Sequence, residues 1–152
     1  VDVDAPTDPS TVNKEGVSVP ADQPRGNFYH WVLVDIHPQR SYIAEGEMSD
    51  VFKAKGKAFG ISGLGMMGIN SYTDWFKGDP ELEGRYGGYD GPFPPWNDER
   101  VHHYHFKLFA LDVSTLGLSG PFTGDEALAA MQGHILAEAE WVGTYTLNAN
   151  LK

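Results

Sequence analysis

"YDGPFPPWNDERVHHYHF", residues 89–106, holds three prolines and three of the chain's six histidines. Its first half is a loop, because Pro fixes φ and removes N–H donors that a sheet ladder needs. Its second half opens "VHHYHFKLFALDV" (101–113), whose aromatic and β-branched residues predict a strand. Side chains alternate across a strand, so His102, Tyr104 and Phe106 share one face while His103, His105 and Lys107 share the other. The histidine cluster is therefore two separate groups, back to back.

The His103/His105 pair has the H-x-H spacing with which two imidazoles on a strand can ligate Zn²⁺. A third ligand has to come from elsewhere, and Lys107 on the same face disfavours a dication. A solvent-facing strand edge or a subunit interface explains the pair without a metal, and no metal is expected. The His102/Tyr104 face is preceded by "GPFPP" (91–95), where Gly91 lets a ligand approach the main chain and the N–H groups of Gly91 and Phe93 are the donors. Histidine, tyrosine hydroxyl and glycine N–H together suit an oxyanion or phosphate. The same residues also suit a buried histidine bonded to a carbonyl beside a core tyrosine, and spacing leaves both readings open.

Two further stretches carry polar groups in apolar surroundings. "DVDAP" (2–6) puts Asp2 and Asp4 on one strand face, either to orient a histidine or act as a general base, or to accept hydrogen bonds in a turn. "FYHWVLVDI" (28–36) is apolar on both faces and predicts a central strand, with His30 as a ligand group or a satisfied core histidine. No GxSxG frame, no P-loop or dinucleotide fingerprint and no evident pair of hydrolytic acids is present. "TGDEALAAMQGHILAEAEW" (123–141) predicts one helix, from about Asp125 to about Leu136, capped by Thr123 or Asp125. Residues 137–147 then alternate as a closing strand, and a short helix is expected near Met48 to Lys55. Residues 7–27 read as a long surface loop, as do 78–100. The five glycines of 60–78 suit close backbone packing.

With 152 residues the chain has room for one domain, and 18 Gly with 10 Pro favour a turn-rich β protein. The formal charge of −10 opposes nucleic acid and anionic membranes, so a bound anion must be held by local donors. The absence of cysteine excludes disulfides and thiolate chemistry and leaves cytoplasmic, periplasmic and secreted locations equally open. No run is long enough for a transmembrane helix, and a soluble protein is expected. The opening "VDVDAP" reads as the middle of a strand, which leads us to expect further sequence upstream.

Four motifs in order, "DVDAP", "FYHWVLVDI", "YGGYDGPFPPWNDERVHHYHFKLFALD" and "GHILAEAEWVGTY", resemble the phosphatidylethanolamine-binding protein family, most closely its bacterial and archaeal Raf-kinase-inhibitor-like branch. The resemblance spans residues 2–145. It implies a mainly β fold, a large antiparallel sheet packed with a smaller one and a few peripheral helices, as a single domain over 1–152 lacking its N-terminal strands. It also implies a non-enzymatic binding protein whose pocket takes phosphate or a phosphoethanolamine-like head group. Carried over by motif position, the ligand-binding residues are Asp2, His30, Gly91, Pro92, His102 and Tyr104, with Asp4 in support. No catalytic residue and no cofactor are implied. Expected partners are a protein kinase or a protease, through inhibition, and a second copy in a homodimer. The alternative is a hydrolase or lyase using His102 or His30 with Asp2 as acid and base. Val3 stands where the branch has the first Pro of D-P-D-A-P, and His103 where it has the Arg of H-R-Y. Residues 7–27 and 60–85 are longer than usual. Asp2 beside an anion makes chemical sense if it orients a histidine or shares a proton with the ligand, which predicts tighter binding at mildly acidic pH.

Overall fold

A computed structural model describes residues 1–49 and 51–152. Two compact units are distinguished, the first made of 1–28, 92–108 and 139–152 and the second of 29–91 and 109–138. The protein is mainly β, with a four-stranded sheet, a three-stranded sheet and two α-helices among the described residues. No helix among them is long and apolar enough to cross a membrane.

Most residues of the larger sheet belong to the first unit. Strand β1 (Asp2–Pro6) pairs antiparallel with β2 (Arg25–Phe28), through Asp2↔Phe28, Ala5↔Gly26 and Pro6↔Arg25. A register shift between Asp2 and Ala5 absorbs the mismatch. On its other side β1 meets the long strand from "HHYHFKLFAL" (His102–Leu111), with Asp2 opposite Tyr104. The exchange of hydrogen bonds between Val1 and His105 extends this pairing. The last strand, Ile135–Tyr145, forms the sheet's edge and is exposed along nearly its whole length. Trp141 lies against Phe106 with ring centroids 5.7 Å apart.

Residues 7–27 read as a long surface loop in sequence, and one distant side chain organises residues 11–17 of it. Asn97 donates through Nδ2 to the carbonyls of Thr11, Lys14 and Val17, and its Oδ1 accepts from the Asn13 N–H. Val19 is fully buried and bridges to the 97–99 main chain on both sides.

In the second unit, β3 (Leu33–Val34), β4 (Gly60–Ile61) and β5 (Met66–Met67) form the smaller antiparallel sheet, in the order β3-β5-β4. Val32, Val34, Phe122 and Ala127 form its core, with Tyr29, Met66, Leu116 and Leu118 packed around them. A second cluster stacks Tyr72, Phe76, Tyr86 and Phe52 around the short helix α1 (Tyr72–Trp75).

Three sequence expectations change. The continuous strand expected over 28–36 is broken: Phe28 ends β2 and only Leu33–Val34 pair again. The main chain between them is engaged by loops instead of a ladder. Tyr29 exchanges bonds with Ser71, His30 O accepts from Asp90 N–H, and Val32 O accepts from Gly68 N–H. The helix expected over 125–136 is α2, Gly124–Met131, and stops five residues early. Gly133 takes φ +82, which ends helical geometry, and the strand begins at Ile135. Of the two expected caps, Thr123 or Asp125, the helix uses Thr123, in a capping box where Thr123 and Glu126 bond each other's main-chain N–H. No helix is seen near Met48–Lys55: 48–49 are turn and 51–55 bend, turn and coil, while Asp50 lies outside the described residues.

Candidate functional site

The site residues are best built unit by unit. In the first unit, the alternation of the strand from His102 turns His102 and Tyr104 inward, at 0% and 5% exposure. Their rings lie nearly parallel, 25° apart with centroids 6.4 Å distant. Asp2, opposite Tyr104 on β1, brings its Oδ2 to 2.7 Å from His102 Nδ1. Its Oδ1 accepts the Asp4 N–H at 2.8 Å. Asp2 thus orients a histidine and accepts a main-chain hydrogen bond as well, two of the three roles that its position in "DVDAP" allows.

Asp98 completes this group and was not singled out in the sequence. Its Oδ2 lies 3.0 Å from His102 Nε2, and Arg25 grips the same carboxylate at 2.6 and 3.0 Å. Arg25 also donates to the carbonyls of Asp4, Pro20 and Gln23, which ties β1 and the long loop to the cluster. The available signal was the i,i+4 spacing in "DERVH" and the lone Arg opening β2. With a carboxylate on each nitrogen, both ring nitrogens donate and the imidazole is a cation. Burial pushes its pKa down, but the hydrogen bonds and charges of Asp2 and Asp98 outweigh this and raise it to about 9. Asp98 is held below its ordinary value: burial opposes this, and the bonds from His102 and Arg25 prevail. A histidine so engaged has no lone pair with which to act as a base near neutrality.

Asp4 supports a neighbouring arrangement rather than His102 itself. It accepts from Arg100 at 3.0 Å and from both the main-chain N–H and Nδ1 of His103, at 2.9 and 2.8 Å. Burial disfavours its charge, yet these bonds lower its pKa overall. On the outer face, His105 Nδ1 pairs with Glu140 at 2.7 Å. The H-x-H pair is thus divided between two carboxylates, and among the described residues no group of three or more potential ligands is arranged to hold a metal. Pro92 is exposed, whereas Pro94 and Pro95 of the same loop are buried.

In the second unit, His30 is 3% exposed and bound to residue 90 at two points. Its carbonyl accepts the Asp90 N–H at 3.1 Å, and its Nδ1 donates to the Asp90 carbonyl. A carbonyl only accepts, so the proton on Nδ1 follows from the pairing. Tyr72 meets the imidazole edge-on, with centroids 5.7 Å apart, and Tyr89 lies at 6.4 Å. Gly91 packs against the ring so closely that a Cβ there would stand 2.5 Å from Nδ1. The glycine of "GPFPP" is therefore required by the histidine of "HW".

Asp90, for which no motif or spacing argued, carries a second layer. Its carboxylate pairs with Lys57 Nζ and accepts from Asn70 Nδ2 at 2.8 Å. Lys57 also donates to the Tyr89 carbonyl at 2.9 Å, and Asn70 to that of Gly88 at 3.2 Å. The structure thus groups Asp2, His102 and Tyr104 in one unit and His30 with Gly91 in the other.

Comparison with known proteins places this geometry in a family. A family model described as phosphatidylethanolamine-binding protein matches residues 1–146. A UPF0098 protein of Pyrococcus abyssi is 35% identical over 126 residues, covering 82% of this chain and 58% of the relative. One from Aquifex aeolicus is 36% identical over 124 residues, covering 82% and 60%. One from Chlamydia trachomatis is 30% identical over 143 residues, covering 94% and 69%. The chain spans about three fifths of the length of the first two relatives. No solved structure matches. The family model's match over residues 1–146, together with relatives 30% or more identical, shows that the chain belongs to the phosphatidylethanolamine-binding protein family.

Proposed function

We propose that the protein is a non-enzymatic binding protein for phosphate or a phosphorylated head group, with Asp2, His30, Gly91, Pro92, His102 and Tyr104 as its ligand-binding residues. The observation that carries this reading is the seat of His30. A buried imidazole has one nitrogen committed to the Asp90 carbonyl, and the glycine beside it leaves no room for a side chain. Such a pairing suits an anion held by an imidazole and by main-chain N–H groups, which need the close approach only Gly allows.

The chemistry fixes a protonation requirement. Because Nδ1 is committed, any hydrogen bond from this ring to an anion is made through Nε2. Donating from both nitrogens requires the imidazolium. Affinity is therefore expected to rise as pH falls. His102 contributes differently: it is already cationic, and its charge is balanced by Asp2 and Asp98. It contributes by holding Asp2 rather than by a vacant donor. The overall charge of −10 repels phosphate at long range, so binding depends on these local donors.

Titration calorimetry with phosphate and with phosphoethanolamine, on wild type and His30→Ala, tests this reading. Saturable binding by wild type, lost in the variant, supports it. Binding that survives the substitution unchanged removes His30 from the site, and no binding by wild type at any pH between 5 and 8 overturns the proposal.

A further inference from the structure

We infer that Lys57 and Asn70 act as positioning residues for His30, fixing through Asp90 which of its ring nitrogens carries the proton and which faces a ligand. The inference deepens the anion-binding reading and, for its effect on affinity, rests on it.

The chain of contacts is short and buried throughout. Asp90 meets His30 through its main chain, N–H to the His30 carbonyl and carbonyl to Nδ1. The orientation of the Asp90–Gly91 peptide, which carries that carbonyl, therefore decides the tautomer. An Asp90 carbonyl turned toward Nδ1 demands a proton there, and one turned away removes the demand.

What holds the peptide is the Asp90 side chain and its neighbours. The carboxylate is 4% exposed and pairs with Lys57, whose side chain is 17% exposed, while Asn70 at 2% supplies the other oxygen's partner. Lys57 and Asn70 each hold a second point on the same turn, the carbonyls of Tyr89 and Gly88. Asn70 is fixed in turn, its Oδ1 accepting the Tyr72 N–H at 3.1 Å and its own N–H donating to Tyr86 at 2.7 Å. Three successive residues, 88 to 90, are thus tied down by one cation and one amide, immediately before Gly91. The aromatic rings of Tyr72 and Tyr89 flank the imidazole. The arrangement has the logic of outer-sphere carboxylates and carbonyls that orient histidine ligands in metal sites.

The experiment compares full-length wild type, Lys57→Met and Lys57→Arg, reading the His30 ring ¹⁵N signals by long-range NMR and phosphate affinity by calorimetry. Wild type is expected to show its neutral ring protonated on Nδ1. Lys57→Met is expected to shift the neutral ring toward the Nε2-protonated form and to lessen the rise in phosphate affinity between pH 8 and pH 5, because the neutral ring then donates through Nε2, and Lys57→Arg to restore both. Asp90→Asn, which keeps the side-chain volume, is the companion variant if Lys57→Met does not fold, with the same expectation for the tautomer. A His30 tautomer identical to wild type in folded Lys57→Met or Asp90→Asn overturns the inference. If wild type binds no phosphate, the tautomer comparison still decides the role of Lys57, and the failure falls on the anion reading alone.

Discussion

His102 Nδ1 stands 2.7 Å from Asp2 Oδ2, across the contact between the first strand and the long strand. With Asp98 on the opposite nitrogen, this relationship turns a buried histidine into a fixed cation. Its pKa, raised to about 9, lies above the ordinary value of 6.5, so the folded state holds the proton more tightly than the unfolded chain. That contribution is fully present below about pH 6.5 and is lost as pH rises through about 9. It is worth on the order of 3 kcal/mol. Urea denaturation between pH 6.5 and 9.5 is expected to show falling stability, and His102→Gln to flatten the slope. A wild-type profile flat across this range contradicts the assignment. Asp98 and Asp4 act in the opposite sense, with lowered pKa values, so their contributions are lost as pH falls below their ordinary range.

Arg25 is the cation that lets Asp98 stay charged beside His102. Its side chain is 7% exposed and that of Asp98 1%. Removing one partner of such a pair leaves a buried charge uncompensated and costs about 3–5 kcal/mol. Arg25→Met is expected to lose stability on that scale by urea titration. A loss below 1 kcal/mol means that the pair is not held as described.

Gly91 has no space for a methyl group against His30. Gly91→Ala is expected to displace the imidazole, to destabilise the fold by about 1–3 kcal/mol through overpacking, and to abolish phosphate binding. Wild-type affinity in this variant contradicts the proposed contact.

His103, on the outer face, pairs with Asp4 but keeps 49% of its side chain exposed. Surface pairs of this kind contribute about 0–1 kcal/mol, and the main-chain bond to Asp4 survives truncation. His103→Ala is expected to change the denaturation midpoint by less than that and to leave phosphate affinity unaltered. A loss of binding means that the two faces of the strand are not independent.

Strand alternation made the inward turn of His102 and Tyr104 legible, because burial of one face follows from period two once the strand is recognised. Capping of the helix by Thr123 was equally local and equally legible. The break after Phe28 was not, since "FYHWVLVDI" has strand composition and only the loops at 68–71 and 90 take its main-chain bonds away. Asp98, Arg25, Asp90 and Lys57 were missed for a related reason. Single charged residues in polar loops carry no periodicity, and their roles come from partners up to 73 residues away. The order within residues 11–17 depends likewise on a distant amide, Asn97.

The proposed anion site stands or falls on His30. Phosphate titrated into the full chain at pH 6, followed by the ring signals of all six histidines, reads it residue by residue. A saturable shift of the His30 Nε2 signal, with the Nδ1 proton retained and His103, His105 and His134 unmoved, is the predicted result. An unmoved His30 while only those three exposed or half-exposed rings respond would contradict it.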